Sequence, residues 1–397
     1  MERVIITGIS VVSPIGTTVS EFMQGIASGK QGIAHIRNFP SDHFPSKLGA
    51  EVKFNENDAK ISIDRKIFFL EKALAELLDH NDVFQHYLPI NRILNIGSGL
   101  DYFDLSGYVG STDHQLGQWH QYSNNAYYAI EKLAQKYQIH GGLNVNVSAC
   151  VASNHALGLS FRMLKHSQQK VIVTGGTDSM LNPLHYIGFY KLGALSTWDG
   201  MPQEACRPFD KNRCGLVLGE GAAVFLLQTA REAVTDKILA EIVGYSSTMD
   251  AYSVTDPQPE GILLAKAARQ AIQEAGITPN HIDCVHLHGT GTPKNDPAEA
   301  NAMKLIFGDK MTEIPVFSLK GQTGHLIAAC GALEMLGVIY SLQTQQVPPT
   351  VNFTDPDLEI PLRVITGKPL KMPINYVLKL NAAFGGQNTA FVVKKYA

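Results

Sequence analysis

A single cysteine stands where the sequence changes from a strand pattern to a helix pattern. Residues 145–148 alternate between apolar and polar side chains, and small residues with a helical spacing of apolar positions follow Cys150. The free N–H groups at a helix start favour a thiolate, which attacks thioesters and also leaves well. An arbitrary free cysteine is usually a small buried hydrophobe. The surroundings of Cys150 instead indicate a nucleophile.

Two histidines and a lysine follow predicted strands in the second half of the sequence. His288 lies in HLHGTGTPKNDPAE, and Lys320 and His325 lie in SLKGQTGHLIAACGALE. Each stands at the carboxyl end of a strand or just beyond it, where open α/β sheets gather their ligand sites. The glycine-rich loop after His288 lets a substrate approach the backbone, and the hydroxyls of Thr290 and Thr292 can hydrogen-bond to it.

The pair His286 and His288 could also suggest a metal site, because the two residues lie on one face of a strand. No carboxylate or third ligand stands at a convincing position nearby, so we expect no metal. The five cysteines form no CxxC pair and their number is odd. A disulfide framework or a structural zinc site is therefore not expected.

The composition is that of a well-buried globular enzyme. The 397 residues are 45% hydrophobic and 17% charged, which indicates more than one domain-sized unit. The net charge of −3 and the lack of long runs of like charge argue against a nucleic-acid-binding protein. We find no signal-peptide pattern and no stretch that approaches the ~18 apolar residues of a membrane span. A cytoplasmic location is predicted.

The order of predicted elements occurs twice. Strands alternate with helices in both halves, which predicts an α/β protein with a mainly parallel sheet and helices on its faces. The segment NVNVSAC and the helix after it have a counterpart in PVFSLKGQTGH and its helix. We therefore predict a duplicated α/β unit, with one half at residues 1–235 and the other at 236–397.

The motifs follow one another in the order of a known family. SAC with Cys150, HGTGTPKND with His288, KGQTGH with Lys320 and His325, and FGGQN with Phe384 resemble the motif set of the β-ketoacyl-[acyl carrier protein] synthases. The similarity is greatest to the elongating branch, which uses a Cys-His-His triad. GALSTWDG, RPFDKNRCGLVLGEGAA and MDAYSVTDPQPEG also resemble landmark segments of that family. The resemblance covers nearly the whole chain.

This resemblance implies a fold and a reaction. The fold would be thiolase-like, with two similar halves stacked as an αβαβα sandwich, usually in a dimer. The reaction would be a decarboxylative Claisen condensation in which Cys150 accepts an acyl chain from an acyl carrier protein. Malonyl on a second carrier would lose CO₂ and attack the thioester. No metal or redox cofactor would be needed, since both substrates are carried on phosphopantetheine.

The family's residue roles transfer to matching positions. His288 and His325 would donate to the thioester oxygen that becomes negative during decarboxylation, and one such donor is worth about 3–4 kcal/mol. The backbone N–H groups of the nucleophile and of Phe384 would form the other oxyanion hole. Lys320 would support the second histidine, together with Glu334. Thr290 and Thr292 would bind the phosphopantetheine arm.

Departures from the family pattern concern the substrate. Ala382 stands where a bulky aromatic residue is common, which should widen the acyl pocket, and Ala383 replaces a glycine of the hinge. Leu100 is similar in position to a residue that limits acyl length at the dimer contact. The segment 98–125 looks shortened. We therefore expect a specialised ketosynthase with polar or unsaturated substrates, of polyketide or polyene type, rather than the housekeeping fatty-acid enzyme.

Carrier docking would need a basic patch, because acyl carrier proteins are generally acidic. Lys60, Arg65 and Lys66 are similar in place to the family's docking patch, and Arg207 is another candidate. An ordinary solvated helix start would explain the first three residues equally well.

Three alternatives share parts of this pattern. A thiolase would carry a second catalytic cysteine in a C-terminal CxG motif, and Cys330 does not stand in that setting. A non-elongating partner subunit of the chain-length-factor kind generally lacks the nucleophile, and so does a malonyl decarboxylase with the same histidines. Cys150 with both histidines therefore favours the condensing enzyme. Both an identical subunit and a related ketosynthase subunit fit the sequence as the dimer partner.

Overall fold

A computed structural model describes most of the chain. It covers residues 1–42, 44–53, 64–79, 81–100, 126–166, 170–233 and 237–396, and the backbone of 102–103 and 123–124. The predicted shortening of the segment 98–125 lies largely outside the described residues.

The strands of the described residues are β1 (Val4–Val12), β2 (Ile33–His35), β3 (Leu48–Ala50), β4 (Arg92–Ser98), β5 (Tyr102–Phe103), β6 (Ser123–Asn124), β7 (Gly142–Asn146), β8 (Val171–Ser179), β9 (Glu220–Thr229), β10 (Ala240–Met249), β11 (Cys284–His286), β12 (Pro315–Phe317), β13 (Gln346–Val347), β14 (Arg363–Val364), β15 (Leu370–Lys371), β16 (Tyr376–Ala383) and β17 (Gln387–Lys394). The α-helices are α1 (Val19–Ser28), α2 (Arg65–Asp79), α3 (Asp82–Gln85), α4 (Ala126–Lys136), α5 (Ala152–Lys165), α6 (Pro183–Lys191), α7 (Ile262–Glu274), α8 (Asn295–Phe307), α9 (Lys320–Thr323) and α10 (Cys330–Thr344).

The large sheet consists of two similar halves. Its order is β14-β12-β11-β16-β17-β10-β1-β9-β8-β4-β7. Numbered within each half, β1, β4, β7, β8 and β9 lie in the spatial order 1-5-4-2-3, and so do β10, β11, β12, β16 and β17. The halves meet where β1 pairs briefly with β10, from Val4 opposite Ile242 to Ile6 opposite Ala240. The predicted duplication is therefore confirmed by the topology.

The sheet is mixed and not mainly parallel as the sequence suggested. Five neighbouring pairs are parallel, all toward the outer ends, from β8 to β7 and from β16 to β14. The five central pairs, from β8 through β16 in the sheet order, are antiparallel. The difference arises because β9 and β17 each insert between the first and fourth strands of their half and run antiparallel to both. The stretch 214–219, which precedes β9, makes isolated bridges to Ala50, Leu195 and His325.

The fold has five layers, alternately helix and sheet, and three large hydrophobic clusters hold them together. Helices α2 and α4 cover the outer face of the first half-sheet, and α7 and α8 cover the outer face of the second. Helices α5 and α10 lie between the two half-sheets, within the largest cluster. The αβαβα arrangement expected from the resemblance is confirmed. It brings the start of α5, which follows the cysteine, against the segment before α10.

The apolar stretch Ile327–Thr344 is long and apolar enough to cross a membrane by length and composition, contrary to the expectation from the sequence. However, 89% of it is buried inside the fold. It includes α10, where apolar side chains face protein on every side because both half-sheets pack on it. This is the burial pattern of a core helix.

Candidate active site

Cys150 lies in a tight turn between β7 and α5. Ala149–Val151 form one 3-10 turn, and α5 begins at the next residue. The backbone of Ala149 has a φ of 48°, a left-handed conformation that is strained for a residue with a side chain. Such strain is often found at functional sites. The predicted junction of strand and helix is confirmed, with a short turn interposed.

Burial of Cys150 favours its thiol form. Burial raises the pKa of Cys150 to about 12, although the nearby backbone N–H of Phe384 and the charge of Lys320 lower it in part. Burial of the sulfur therefore opposes the thiolate that the sequence predicts at this position. The thiol proton must leave as the sulfur attacks.

His325 lies in a short extended segment, two residues before the 3-10 turn Ile327–Ala329. Its backbone N–H donates to the carbonyl of Val217 at 2.7 Å, and its own carbonyl accepts from the N–H of Gly219 at 2.9 Å. The backbone N–H of Ile327 donates to His325 Nδ1 at 3.0 Å. Since Nδ1 accepts this bond, the proton of a neutral ring lies on Nε2. Burial and then the charge of Lys320 hold the pKa of His325 well below its usual value.

His288 has a matching tautomer for a different reason. Lys320 Nζ lies 3.0 Å from His288 Nδ1, and it also donates to the His288 carbonyl at 2.6 Å. An ammonium can only donate, so Nδ1 accepts and Nε2 carries the proton. Burial, and then the charge of Lys320, hold the pKa of His288 well below its usual value. Both histidines are thus neutral rings with an Nε2–H available as a donor.

The two imidazoles and the thiol converge. The rings of His288 and His325 meet edge to face, with centroids 5.1 Å apart. A sulfur of Cys150 and one nitrogen from each ring lie within 4.8 Å of one another. The same three atoms could also surround a soft metal ion. The expectation that no metal is needed stays a prediction.

Glu334 is the negative partner of this site. It pairs with Lys320 Nζ, and its other oxygen lies 3.6 Å from Lys379 Nζ. Burial alone would raise the pKa of Glu334, but the adjacent positive charges, Lys320 foremost, lower it to about 2. The carboxylate in turn raises the pKa of Lys320 against the opposing effect of burial. The site therefore keeps Lys320 charged without exposing it to water.

Glu334→Gln should be strongly destabilising. The change leaves two buried ammonium groups without a counter-charge, and breaking a buried ion pair costs about 3–5 kcal/mol. We expect a fall of this size in the free energy of unfolding, measured with urea. Glu71→Gln is the matched control, because its ion pair with Lys136 is largely exposed and such pairs contribute about 0–1 kcal/mol. Equal losses in the two variants would contradict the role of Glu334.

A cleft of about 270 Å³ leads from the surface to these groups. Its lining includes Cys150, both histidines, Thr290, Thr292, Ala382 and Phe384. The hydroxyls of Thr290 and Thr292 lie 2.9 Å apart. The ring of Phe384 lies 6.1 Å from that of Phe189, measured between centroids. The predicted pantetheine residues and Ala382 thus line the same cleft as the nucleophile.

The loop after Phe384 takes its unusual backbone from two glycines. Gly385 has a φ of 80° and Gly386 a φ of 74°, whereas Ala383 is extended at −144°. Ala383, which replaces a glycine of the hinge, thus has a conformation that suits any residue. The positive φ values of this loop fall on the glycine pair.

Two of the predicted docking residues are buried. Lys66 is 1% exposed and pairs with Asp64, and Arg207 is 5% exposed and contacts Asp210 and Thr354. The prediction that these two side chains meet a carrier protein is wrong, because each already has buried partners within the fold. Arg65 is partly exposed and bonds to Glu220.

Two further predicted residues have a different placement. Lys60 lies outside the described residues. Leu100 is 59% exposed in the single chain and does not line the cleft. Its predicted role at a dimer contact stays a prediction.

The sequence interpretation missed three residues beside His288. Asn381 Nδ2 lies 2.9 Å from His288 Nδ1 and donates to Glu334 at 2.6 Å. Lys379 and Asn154 in turn hold Asn381. A signal was present in YVLKLNAAFGG, where a lysine and an asparagine two apart interrupt an otherwise apolar strand sequence. Charged residues are seldom fully buried without a partner.

Comparisons with known proteins agree with this geometry. The beta-ketoacyl synthase N-terminal domain matches residues 1–233, and the C-terminal domain of the same family matches residues 239–354. The chain belongs to the β-ketoacyl synthase family. A 3-oxoacyl-[acyl-carrier-protein] synthase 2 of Synechocystis is 31% identical over 100% of this chain and 98% of its own length. One from Coxiella burnetii is 32% identical, with 99% and 98% covered.

Solved structures show the same fold. The type II polyketide synthase complex AntDE:AntF, a ketosynthase bound to the hexaketide with its acyl carrier protein, aligns over 100% of both chains with a TM-score of 0.89 and 26% identity. A beta-ketoacyl synthase from Burkholderia phymatum aligns over 100% of both chains, with a TM-score of 0.85 and 27% identity. This β-ketoacyl synthase is thus an acyltransferase of thiolase-like fold.

Proposed function

We propose that this β-ketoacyl synthase condenses an acyl group held on Cys150 with malonyl delivered by an acyl carrier protein. The observation that carries the proposal is the convergence of the Cys150 sulfur with His288 and His325, both fixed as neutral Nε2–H donors, at the end of one cleft. In this proposal the division between the two halves falls at about residue 236.

The first stage is acyl transfer. The Cys150 sulfur attacks the thioester carbonyl of an acyl carrier protein, and the bond to the carrier sulfur breaks. The negative oxygen of the tetrahedral intermediate is held by the backbone N–H groups of Cys150 and Phe384. The proton of the cysteine thiol ends on the departing carrier thiol. Because the proton of Cys150 neutralises the departing carrier thiolate, this stage leaves no net charge behind in the site.

The second stage is decarboxylation and condensation. Malonyl on its carrier loses CO₂, and the electron pair of that bond moves to the thioester oxygen as an enolate. The Nε2–H groups of His288 and His325 donate to this oxygen, where a single donor is worth about 3–4 kcal/mol. The enolate carbon attacks the acyl carbonyl on Cys150, and the cysteine leaves and takes up a proton from solvent. The product is a β-ketoacyl chain two carbons longer.

The support for the pantetheine site is the threonine pair. Thr290 and Thr292 line the same cleft as Cys150, and Thr292 accepts from the backbone N–H of Asn295 at 3.2 Å. Hydroxyls held in this way present fixed partners to the amide groups of a phosphopantetheine arm. No separate cofactor takes part, since both acyl groups arrive on that arm. We infer a soluble, cytoplasmic enzyme.

The partner is inferred to be a second ketosynthase-type subunit. Strand β7 ends the large sheet and has β4 as its one neighbour among the described strands. Its outer edge offers backbone groups on which another sheet can pair. The ishigamide ketosynthase/chain length factor aligns with a TM-score of 0.88 and 25% identity. A related, non-identical partner is therefore as compatible with this edge as an identical one. The intact nucleophile favours the elongating role for this chain.

The substrates proposed here are polar or unsaturated chains of a specialised pathway. Ala382 is buried beside the nucleophile and lines the cleft, where a larger side chain would fill acyl space. Wild type and Ala382→Phe should be incubated with carrier proteins bearing short saturated, long saturated and polyunsaturated acyl groups, and then with malonyl carrier. We expect β-ketoacyl products from wild type, and a rate loss of about tenfold or more in the variant for the long and polyunsaturated donors. Mass spectrometry of the products over time measures both the identity of the β-ketoacyl product and its rate of formation.

Short saturated donors are the internal control for this substitution. Their rates should fall much less, because a short chain occupies less of the acyl space that the added ring would fill. An equal loss for every donor would contradict the pocket argument. If wild type forms no β-ketoacyl product from any donor, the proposed condensing reaction itself is wrong, and the partner-subunit or decarboxylase alternative replaces it.

A further inference from the structure

A buried cluster of one lysine and two asparagines lies behind His288. We name Asn154, Lys379 and Asn381 the asparagine–lysine cluster. Lys379 Nζ donates to Asn154 Oδ1 at 3.0 Å and also to Asn381 Oδ1. Asn154 Nδ2 donates to Asn381 Oδ1 at 2.9 Å and to Thr389 Oγ1 at 2.9 Å. The oxygen of the Asn381 amide therefore receives two donors.

This pattern determines which way the Asn381 amide faces. Because its oxygen is turned toward the ammonium of Lys379, its NH₂ group must face the opposite side. There it donates to Glu334 Oε2 at 2.6 Å and lies 2.9 Å from His288 Nδ1. His288 Nδ1 thus has two donors, Asn381 on β16 and Lys320 on α9. Two donors from separate elements fix the direction of the ring as well as its tautomer.

We propose that Asn381 is a positioning residue that holds the His288 ring with its Nε2–H aimed at the enolate oxygen, and that Lys379 and Asn154 set the orientation of the Asn381 amide. The proposal rests on the proposed function of His288 as a donor during decarboxylation. It assigns no contact with substrate to the asparagine–lysine cluster itself.

The burial of Lys379 supports a specific role for its charge. The side chain is 0% exposed on a core strand, where an apolar residue of similar volume would usually be neutral or more stabilising. Burial lowers the pKa of Lys379 to about 8, so the ammonium is still the main form at neutral pH. Lys320 alone fixes the orientation of the His288 ring only weakly. Its ammonium group has three protons, and they are shared among Glu334, the His288 carbonyl and His288 Nδ1.

The test separates the two half-reactions. Asn381→Asp keeps the shape and its bonds with Lys379 but replaces the donor to His288 by an acceptor, and Lys379→Met removes the group that orients the amide. Acyl transfer to Cys150 is followed by rapid-quench intact mass with the best acyl donor of the panel above. Decarboxylation is followed as CO₂ released from malonyl carrier. We expect both variants to lose about 10²-fold in CO₂ release, as for a misplaced catalytic group, with acyl transfer within about threefold of wild type.

Thr389→Val is the matched control. It disturbs the same buried network through Asn154 but leaves the donors to Asn381 in place. It should change neither half-reaction by more than about threefold. A loss of CO₂ release in this control equal to that in Lys379→Met would overturn the proposal, because any disturbance of the core would then suffice. A parallel fall of acyl transfer and CO₂ release in the two test variants would overturn it as well.

His288→Ala distinguishes this inference from the function on which it rests. If His288→Ala releases CO₂ as fast as wild type, the proposed role of His288 is wrong, and the inference fails with it. If His288→Ala is slow but Asn381→Asp and Lys379→Met are as fast as wild type, only the positioning role is overturned. Slow decarboxylation in all three variants, with acyl transfer retained in the two cluster variants, supports both.

Discussion

Cys150→Ala should take up no acyl group from any carrier protein, and its condensing rate should fall by about 10⁴-fold or more. The reason is that the covalent intermediate requires the sulfur that lies beside both histidines at the end of the cleft. Intact-protein mass spectrometry after incubation with acyl carrier thioesters measures the adduct directly. Wild type should show the mass of one acyl group, which disappears when malonyl carrier is added.

Cys214→Ala is the matched control, because Cys214 also lines the cleft and is only half buried. It should still form the adduct, which shows that the acyl group resides on Cys150 and not on its neighbour. An adduct of unchanged amount in Cys150→Ala would overturn the nucleophile assignment. Continued CO₂ release from malonyl carrier in Cys150→Ala is compatible with the mechanism, because the histidine donors remain.

His288→Ala and His325→Ala should each slow the release of CO₂ from malonyl carrier by about 10²–10³-fold. Each substitution removes one Nε2–H donor from the enolate oxygen, and the two donors act on the same developing charge. The two losses should therefore combine to less than the product of the single effects when both histidines are replaced. CO₂ release and acyl transfer to Cys150 are measured separately on each variant.

A conservative replacement and a distant histidine complete this experiment. His325→Gln should recover part of the loss seen in His325→Ala, because the amide N–H₂ group can donate where the ring did. His86→Ala, at an exposed position outside the cleft, should match wild type. If His325→Gln is no faster than His325→Ala and acyl transfer falls equally in both, the histidine serves the structure of the site and not the enolate.

The sequence by itself was sufficient to predict which residues carry the chemistry. Cys150, His288, Lys320 and His325 each follow a strand pattern, and a sheet places the ends of such strands at a common edge. The repeated order of elements also predicted the duplication, because each half carries its own periodic pattern and this is local information. These residues converge in the structure within the same cleft or directly behind it.

The tertiary structure alone decided the pairing of strands and the environment of charges. The central antiparallel pairs join strands far apart in the chain, such as β1 with β9 and β10 with β17, which no local pattern specifies. Lys66 and Arg207 were predicted at a docking surface, yet each finds a buried acidic partner. Exposure depends on what packs over a side chain, so residue type and sequence position do not determine it.

The protonation states of the site residues also depend on the tertiary structure. The side chain of Cys150 suggests a thiolate and that of Lys379 a surface charge, but burial raises the pKa of the first and lowers that of the second. The tautomers of His288 and His325 follow from donors that other segments supply, at β16, α9 and the backbone of Ile327. The sequence determined which groups this ketosynthase has. Desolvation and long-range hydrogen bonds, which exist only after folding, decided where their protons lie.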